Sequence, residues 1–243
     1  MELSMYRFVT KKELWAVEDS GLTAKLAPSR ESWSLKNIQD AVAYKHLQQF
    51  KGKTVAEVGG GDSRVLPTLA RQNSCCNIEP FEGQGNGPTT NTLPSEIIKL
   101  KAYLGQTDLL IKDGKFDVLF SISVIEHVPE DKLESFFADS RRILKAEGFA
   151  LHMIDIYVSE EPSLASMKRH QSIGDLFFSY FQPLTPSEVM GRNGNWADAL
   201  RFHCRYATNP DNAMNYWNKI APQLRNIREE QQSCTLILAG LAN

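Results

Sequence analysis

From Lys53 onward, short runs of continuous apolar residues alternate with longer runs in which apolar positions recur every three or four residues. The short runs are "TVAEV" at Thr54, "CCNIE" at Cys75, "FDVLFSIS" at Phe116 and "FALHMIDIYV" at Phe149. Their length and their β-branched and aromatic content predict buried strands. The longer runs, "SRVLPTLARQ", "PSEIIKLKAYL" and "PEDKLESFFADSRRILKAEG", predict helices. Pro94 opens the second, where a missing amide costs little. The third places Leu133, Phe136, Phe137, Ser140, Ile143 and Leu144 on one face, with Gly148 past its end. Such alternation predicts an α/β fold, a mostly parallel sheet with helices on both faces.

The flanks are patterned differently. Residues 1–52 carry no strand-like alternation, but "SWSLKNIQDAVAYKHLQQF" has helical spacing, with Ser34 as its N-cap and Gly52 as its stop. After Val158 the rhythm breaks. "SEEPSLASMKRHQSIGDLFFSYFQPLTPSEV" is an interrupted helix, "MGRNGNWAD" a loop, and "RFHCRYA" could be a strand. "NPDNAMNYWNKIAPQLRNIREEQQ" is a helix or two broken near Pro222, and "CTLILAGLA" a last strand. There is no internal repeat. The expected organisation is one domain over 1–243: a helical flank (1–52), a core (53–156), and an insertion with a terminal helix and strand (157–243).

Composition changes this picture little. With 42% hydrophobic and 23% charged residues the chain is an ordinary globular one, not disordered or fibrous. Lys and Arg number 27 against 29 Asp and Glu, a net charge of −2, which argues against a protein that gains its affinity by neutralising many phosphates. The N-terminus lacks a secretory pattern and no run is long enough to span a bilayer, so a cytoplasmic protein is expected. Cys75, Cys76, Cys204 and Cys234 have neither zinc nor C-x-x-C spacing, and reduced thiols are expected.

The candidate chemistry begins at "VAEVGGGDSRV", where three glycines separate a strand from a helix. Glycines there allow a tight turn and a ligand close to the main chain, and the helix that follows directs its free amides at that ligand. Glu79 ends the next strand, 18 residues after Gly61, at the spacing of about 20 expected of an acid that takes ribose hydroxyls. A turn with no ligand is the plain alternative. Arg64 stands where the third glycine of a dinucleotide fingerprint would fall. Glu57, two residues before the turn, would repel a pyrophosphate and attract an ammonium or sulfonium. Both features point to S-adenosylmethionine.

"VAEVGGGDSR" resembles motif I of the class I S-adenosylmethionine-dependent methyltransferases, which have a Rossmann-like fold. "NIEP" is similar to their second motif, "KFDVLFSISVIEHVPE" to the strand-four motif, and "RRILKAEGFALHMID" to the motif at strand five. The match covers residues 53–156. It departs at Ser63, where many relatives have glycine, and at "KAEGF", which replaces a Pro-Gly-Gly-type turn. The resemblance implies that Gly59, Gly60 and Gly61 form the turn against the methionyl and ribose portion. It gives Glu57 the ammonium end, through water, and Glu79 the ribose hydroxyls, with Pro80 and Phe81 beside the adenine. Ser121 and Ile122 would offer backbone groups to the methionyl end, and Asp108 would take the adenine amino group.

Methyl transfer from a sulfonium needs alignment above all, and a base where the acceptor is a hydroxyl of high pKa. Candidates for that base are His127 in "IEHVP", His170 in the segment after strand five, and Asp155 near the end of that strand. Each histidine has a structural alternative, and His152, inside its strand, is expected to be a satisfied core residue. "SVIEH" is similar to the Glu-x-x-Glu-His metal motif of some relatives, but Ser123 replaces its first carboxylate, so no metal is expected. Phe177, Phe178, Tyr180, Phe181 and Trp196 could stack on an acceptor or pack in the core. Tyr216 and Trp217 fit either packing or a self-association face, the latter giving a homodimer. The function expected is O-methylation of a small-molecule or glycan-type metabolite, with S-adenosylhomocysteine as product and no membrane partner, the near-neutral charge disfavouring a nucleic-acid acceptor. The alternatives are N-methylation, a non-catalytic S-adenosylmethionine binder, and a nicotinamide-dependent oxidoreductase.

Overall fold

The computed structural model describes residues 6–26, 34–83, 87–106, 111–182, 199–209 and 229–243. In chain order the elements are β1 (Tyr6–Phe8), α1 (Lys11–Asp19), α2 (Leu22–Leu26), α3 (Leu35–Leu47), β2 (Thr54–Val58), α4 (Val65–Ala70) and β3 (Ser74–Ile78). They continue as β4 (Ile98–Leu100), β5 (Phe116–Ile122), α5 (Leu133–Ile143), β6 (Leu144–Ser159), α6 (Leu164–Tyr180), β7 (Phe181–Gln182) and β8 (Gln231–Ala242). The sheet order is β1-β8-β6-β5-β2-β3-β4, with β7 also on β8. The block from β4 to β6 is parallel throughout, and β8 runs antiparallel to both β6 and β1.

Alternation along the strands divides the core into two layers. Val55, Val118, Phe120 and Leu151 face α3 and α4, where Ile38, Val42, Val65 and Leu66 cover them. Ala56, Leu119, Ala150 and Ile154 face the other way, under Phe136 and Phe137 of α5 and Ile173 and Phe177 of α6. By the same period Glu57 and Asp155 point toward α3, while Ser121 and His152 point toward α5 and α6.

Each helix start near the site has a local cause. Asn37 Oδ1 accepts from both the Ser34 amide (3.1 Å) and its hydroxyl (2.8 Å), which closes the first turn of α3. Ser63 Oγ accepts from the amides of Val65 (3.2 Å) and Leu66 (3.0 Å) at the start of α4. Pro67 falls in that first turn, where no intrahelical amide is needed.

The structure corrects the pattern in several places. Residues 94–104 are not a helix. Ile97 is buried and Ile98–Leu100 pair with β3, because the open edge of β3 supplies backbone partners that a surface helix there would leave unused. The helix after β5 ends at Ile143, and Leu144 already pairs with Phe116. Gly148 lies inside β6, where a Cβ would come within 2.9 Å of the Lys145 carbonyl oxygen. The flank is not wholly helical, since Tyr6–Phe8 cover the outer edge of β8. "RFHCRYA" makes only isolated bridges, Arg201 to Ser159 and Tyr206 to Thr10. Asp108, Trp196, Tyr216, Trp217, the loop at 190–198 and most of the helix expected at 209–232 lie outside the described residues. Among the described residues no helix is long and apolar enough to cross a membrane.

Candidate functional site

β2 ends in the glycine turn. Gly59 and Gly61 have φ of +65° and +48°, values that favour glycine. A Cβ on Gly59 would lie 2.6 Å from Val124 Cγ2, and one on Gly60 2.7 Å from Asn77 Oδ1 and 2.8 Å from Glu57 Cδ. The turn is therefore bare partly for its own packing on the strand ends.

What that packing leaves beneath the turn points to a ligand. Glu57 is buried, and the Asn77 side chain beside it in the register is fully so. Asn77 Oδ1 accepts the Gly60 amide at 3.2 Å. Asn77 Nδ2 and Glu57 Oε2 have no hydrogen-bond partner among the described residues. Burial pushes the Glu57 carboxyl up to about 8, against the opposing effects of the Ser63 hydrogen bond and the Lys36 charge. Orphaned polar groups of this kind suit an added polar ligand above them. They fit an adenosyl cofactor whose methionyl end carries an ammonium.

Glu79 stands just past β3, buried, with its amide on the Leu100 carbonyl. Its Oε1 accepts from the Phe81 amide at 3.3 Å, and the Gly61 amide also favours its charged form, while burial raises its pKa. The structure thus brings Glu79 to the glycine turn, with half-buried Pro80 and Phe81 following it. Residues 88–92 also meet the turn: Pro88 would touch a Cβ on Gly61 at 3.2 Å, and the Thr92 hydroxyl bonds Asp62.

At the end of β5, Ser121 Oγ is 2.8 Å from His152 Nδ1. Phe136, Phe137 and Phe177 surround that imidazole, and burial lowers its pKa to about 3, so it is a neutral core group. The carbonyl of Ile122 accepts from Lys36 Nζ at 3.2 Å. Ser123 follows with φ +54°, uncommon for a residue with a side chain. Its hydroxyl meets Gln39 Oε1 at 2.9 Å and Asp155 Oδ1 at 3.2 Å, and Gln39 also donates to Asp155. Asp155 is therefore tied to α3 and to the end of β5, with its pKa raised by burial.

A 3-10 turn, Ile125–His127, carries the remaining candidates. Glu126 turns inward, and neither of its buried oxygens has a hydrogen-bond partner among the described residues. Burial, then repulsion from Asp155, push its carboxyl up to about 8. His127 is exposed, close enough for its charge to lower the pKa of Asp155. Arg169 of α6 donates to the carbonyls of Ile125 (3.3 Å), Glu126 (3.2 Å) and Val128 (2.8 Å), fixing this turn. Its neighbour His170 is buried, its carbonyl accepts the Tyr6 hydroxyl at 3.1 Å, and burial and Arg169 lower the imidazole to about 4. A pKa that low makes His170 a weak base at neutral pH.

Sequence reasoning missed the contribution of α3. Lys36, Gln39 and Asp40 sit at i, i+3 and i+4, a polar stripe along the helix, and that spacing was the available signal. Asp40 is buried and accepts from Arg64 Nε at 2.5 Å, so the arginine in the third-glycine position clamps α3 to the start of α4.

Fold and site together define a Rossmann-like α/β protein whose candidate site lies at the carboxyl ends of the parallel strands, where such sheets bind ligands. Residues 56–152 match the family described as a methyltransferase domain, and this segment has the Rossmann-like fold of the class I S-adenosylmethionine-dependent methyltransferases. Haemonchus contortus phosphoethanolamine N-methyltransferase 2, solved with S-adenosyl-L-methionine, is similar at 12% identity over 92% of this chain and 57% of that one, with a TM-score of 0.56. The same nematode enzyme, solved with phosphomonomethylethanolamine and S-adenosylhomocysteine, aligns at 15% identity over 84% and 52%, with a TM-score of 0.52. At such identity the likeness is one of fold. The chain spans just over half the length of these structures (57% and 52%). No curated protein sequence matches it.

Proposed function

We propose that the chain transfers a methyl group from S-adenosylmethionine to a small-molecule or glycan-type acceptor, with a hydroxyl as the accepting group. The observation that carries this reading is Glu79 at the glycine turn, above the orphaned oxygen of Glu57. When bound, the cofactor supplies an already activated methyl group.

The chain's own residues would bind and align. The glycine turn and the Glu57–Asn77 pair form the floor, Glu79 takes the ribose hydroxyls, and Pro80 and Phe81 flank the base. Ser121 and Ile122 face the methionyl end. Asp155, raised by burial and held by Gln39 and Ser123, is the group placed to accept the acceptor's proton, with exposed His127 beside it. An amine acceptor is the second reading. The buried carboxyl of Glu126 next to Asp155, with no side-chain hydrogen-bond partner among the described residues, favours it, because such a pair attracts an ammonium. The near-balanced charge supports a small acceptor over nucleic acid. The free thiols at Cys75, Cys76, Cys204 and Cys234 support a cytoplasmic location.

Calorimetric titration with S-adenosylhomocysteine tests the cofactor reading. Micromolar binding is expected, weakened roughly tenfold or more in Glu79→Ala through loss of charge-assisted hydrogen bonds. Binding of NADH in its place would turn the reading to an oxidoreductase. Methyl turnover on a metabolite extract then separates an enzyme from a non-catalytic binder.

A further inference from the structure

Lys36 occupies an unusual position. It lies in the first turn of α3, is exposed, and extends its ammonium to the Ile122 carbonyl at 3.2 Å. That carbonyl ends β5 next to the glycine turn, since Val58 pairs with Ser121. The Lys36 charge reaches Glu57 under the turn, Asp40 on its own helix, and Glu126 and Asp155 across the crevice. Arg64 is committed to Asp40 and Arg169 to the carbonyls of the 3-10 turn. Among these cations Lys36 is therefore the one that extends over the crevice from the solvent side.

We infer that Lys36 is a cofactor-binding residue, a swinging cation that fills the ammonium subsite at Ile122 in the free protein and holds the carboxylate of the methionyl group once the ligand is bound. The inference rests on the adenosyl reading above. Its physical basis is an exchange. The methionyl end is a zwitterion, an ammonium beside a carboxylate. A carbonyl that accepts from a lysine ammonium accepts equally from an α-ammonium at the same place. Displacing Lys36 then frees a cation on a flexible four-carbon stem within a few ångströms of the arriving carboxylate. The exchange keeps the Ile122 carbonyl satisfied in both states, and the bound state gains one new ion pair. Lys36 thereby favours the amino-acid end of the ligand and does nothing for its nucleoside end.

That asymmetry gives the test. Wild-type, Lys36→Met and Lys36→Arg proteins are titrated with S-adenosylhomocysteine and with 5′-methylthioadenosine, which has the adenosyl thioether but no amino-acid carboxylate. Lys36→Met is expected to weaken S-adenosylhomocysteine about tenfold or more, the scale of a hydrogen bond to a charged group, and to leave methylthioadenosine within about twofold. Lys36→Arg should restore most of the loss. Equal weakening of both ligands would overturn the inference, because it would mean that Lys36 only props the site. Unchanged S-adenosylhomocysteine affinity in Lys36→Met would overturn it too, and would leave the cofactor reading intact. If neither ligand bound the wild-type protein, the cofactor reading would fall and this inference with it.

Discussion

At the scale of single residues, the site combines a backbone with no room and carboxyls with too few partners. Gly60 has no positive φ, so its constraint is space: a Cβ would meet Asn77 and Glu57, both buried. Gly60→Ala should cost about 1–3 kcal/mol, the usual range for overpacking, and should weaken S-adenosylhomocysteine sharply. Calorimetric melting and titration read the two effects separately. The carboxyls set the pH dependence. Glu57 and Glu126, held near 8 against an ordinary 4.5, keep protons in the folded chain that the unfolded chain has released. On their account stability falls as pH rises through that window. His46, His152 and His170 act in the opposite sense, with folded values near 4, 3 and 4 against 6.5, so their contribution rises with pH and is complete above 6.5. The thermal midpoint should therefore decline between pH 6.5 and 8, and Glu126→Gln should flatten that decline. A wild-type midpoint that holds or climbs across this range would contradict the assignment.

At the scale of elements, the crevice is made where helices reach over strand ends. α3 supplies Lys36, Gln39 and Asp40, because its capped first turn lies above the ends of β5 and β6. α6 acts at a distance through one residue. Arg169 donates to three carbonyls in and just past the turn that holds Glu126 and His127, and of these the Ile125 carbonyl also accepts the Val128 amide within the turn. Arg169→Ala should loosen that turn without unfolding the core. Hydrogen exchange is expected to quicken by about tenfold or more at the amides of His127 and Val128, while β5 and β6 stay protected. Uniform exchange across the sheet would show instead that the arginine supports the fold at large.

At the scale of the whole molecule, the sheet depends on a pairing between the two ends of the chain. β8 is buried on both faces and flanked by β6, and its outer edge is covered by Tyr6–Phe8 and by Phe181–Gln182. Tyr6, Phe8 and Val9 are buried, and a fully buried side chain of this size is worth about 1.5–3 kcal/mol. Deleting residues 1–9 should lower the melting temperature by more than 10 °C or prevent folding, given 4–8 °C per kcal/mol for small domains and less for larger ones. It would also bare the edge of β8 to other chains, so light scattering on a sizing column should show association. A truncated chain that stays monomeric with an unchanged midpoint would place the stability elsewhere.

Much of this was legible from the chain alone, for a physical reason. β2, β3, β5 and β6 are continuous apolar runs because a parallel strand is covered on both faces, and burial leaves that mark in the residues themselves. The glycine turn, Glu57 and Glu79 were readable because their spacing is set by one strand-turn-helix-strand unit, in which sequence distance and spatial distance agree. Where several strands and helices meet, that agreement ends. Nothing local announces that Ile98–Leu100 pair with β3 or that Tyr6–Phe8 cover β8, since edge strands this short draw their stability from their neighbours. Lys36 meets Ile122, and Gln39 meets Asp155, across 86 and 116 residues of chain. The sequence determined the layers, the turn and the acids beside it. Only the packing of α3 onto the strand ends decided which cation faces them, because long-range contacts are chosen by the fold and leave no period in the sequence.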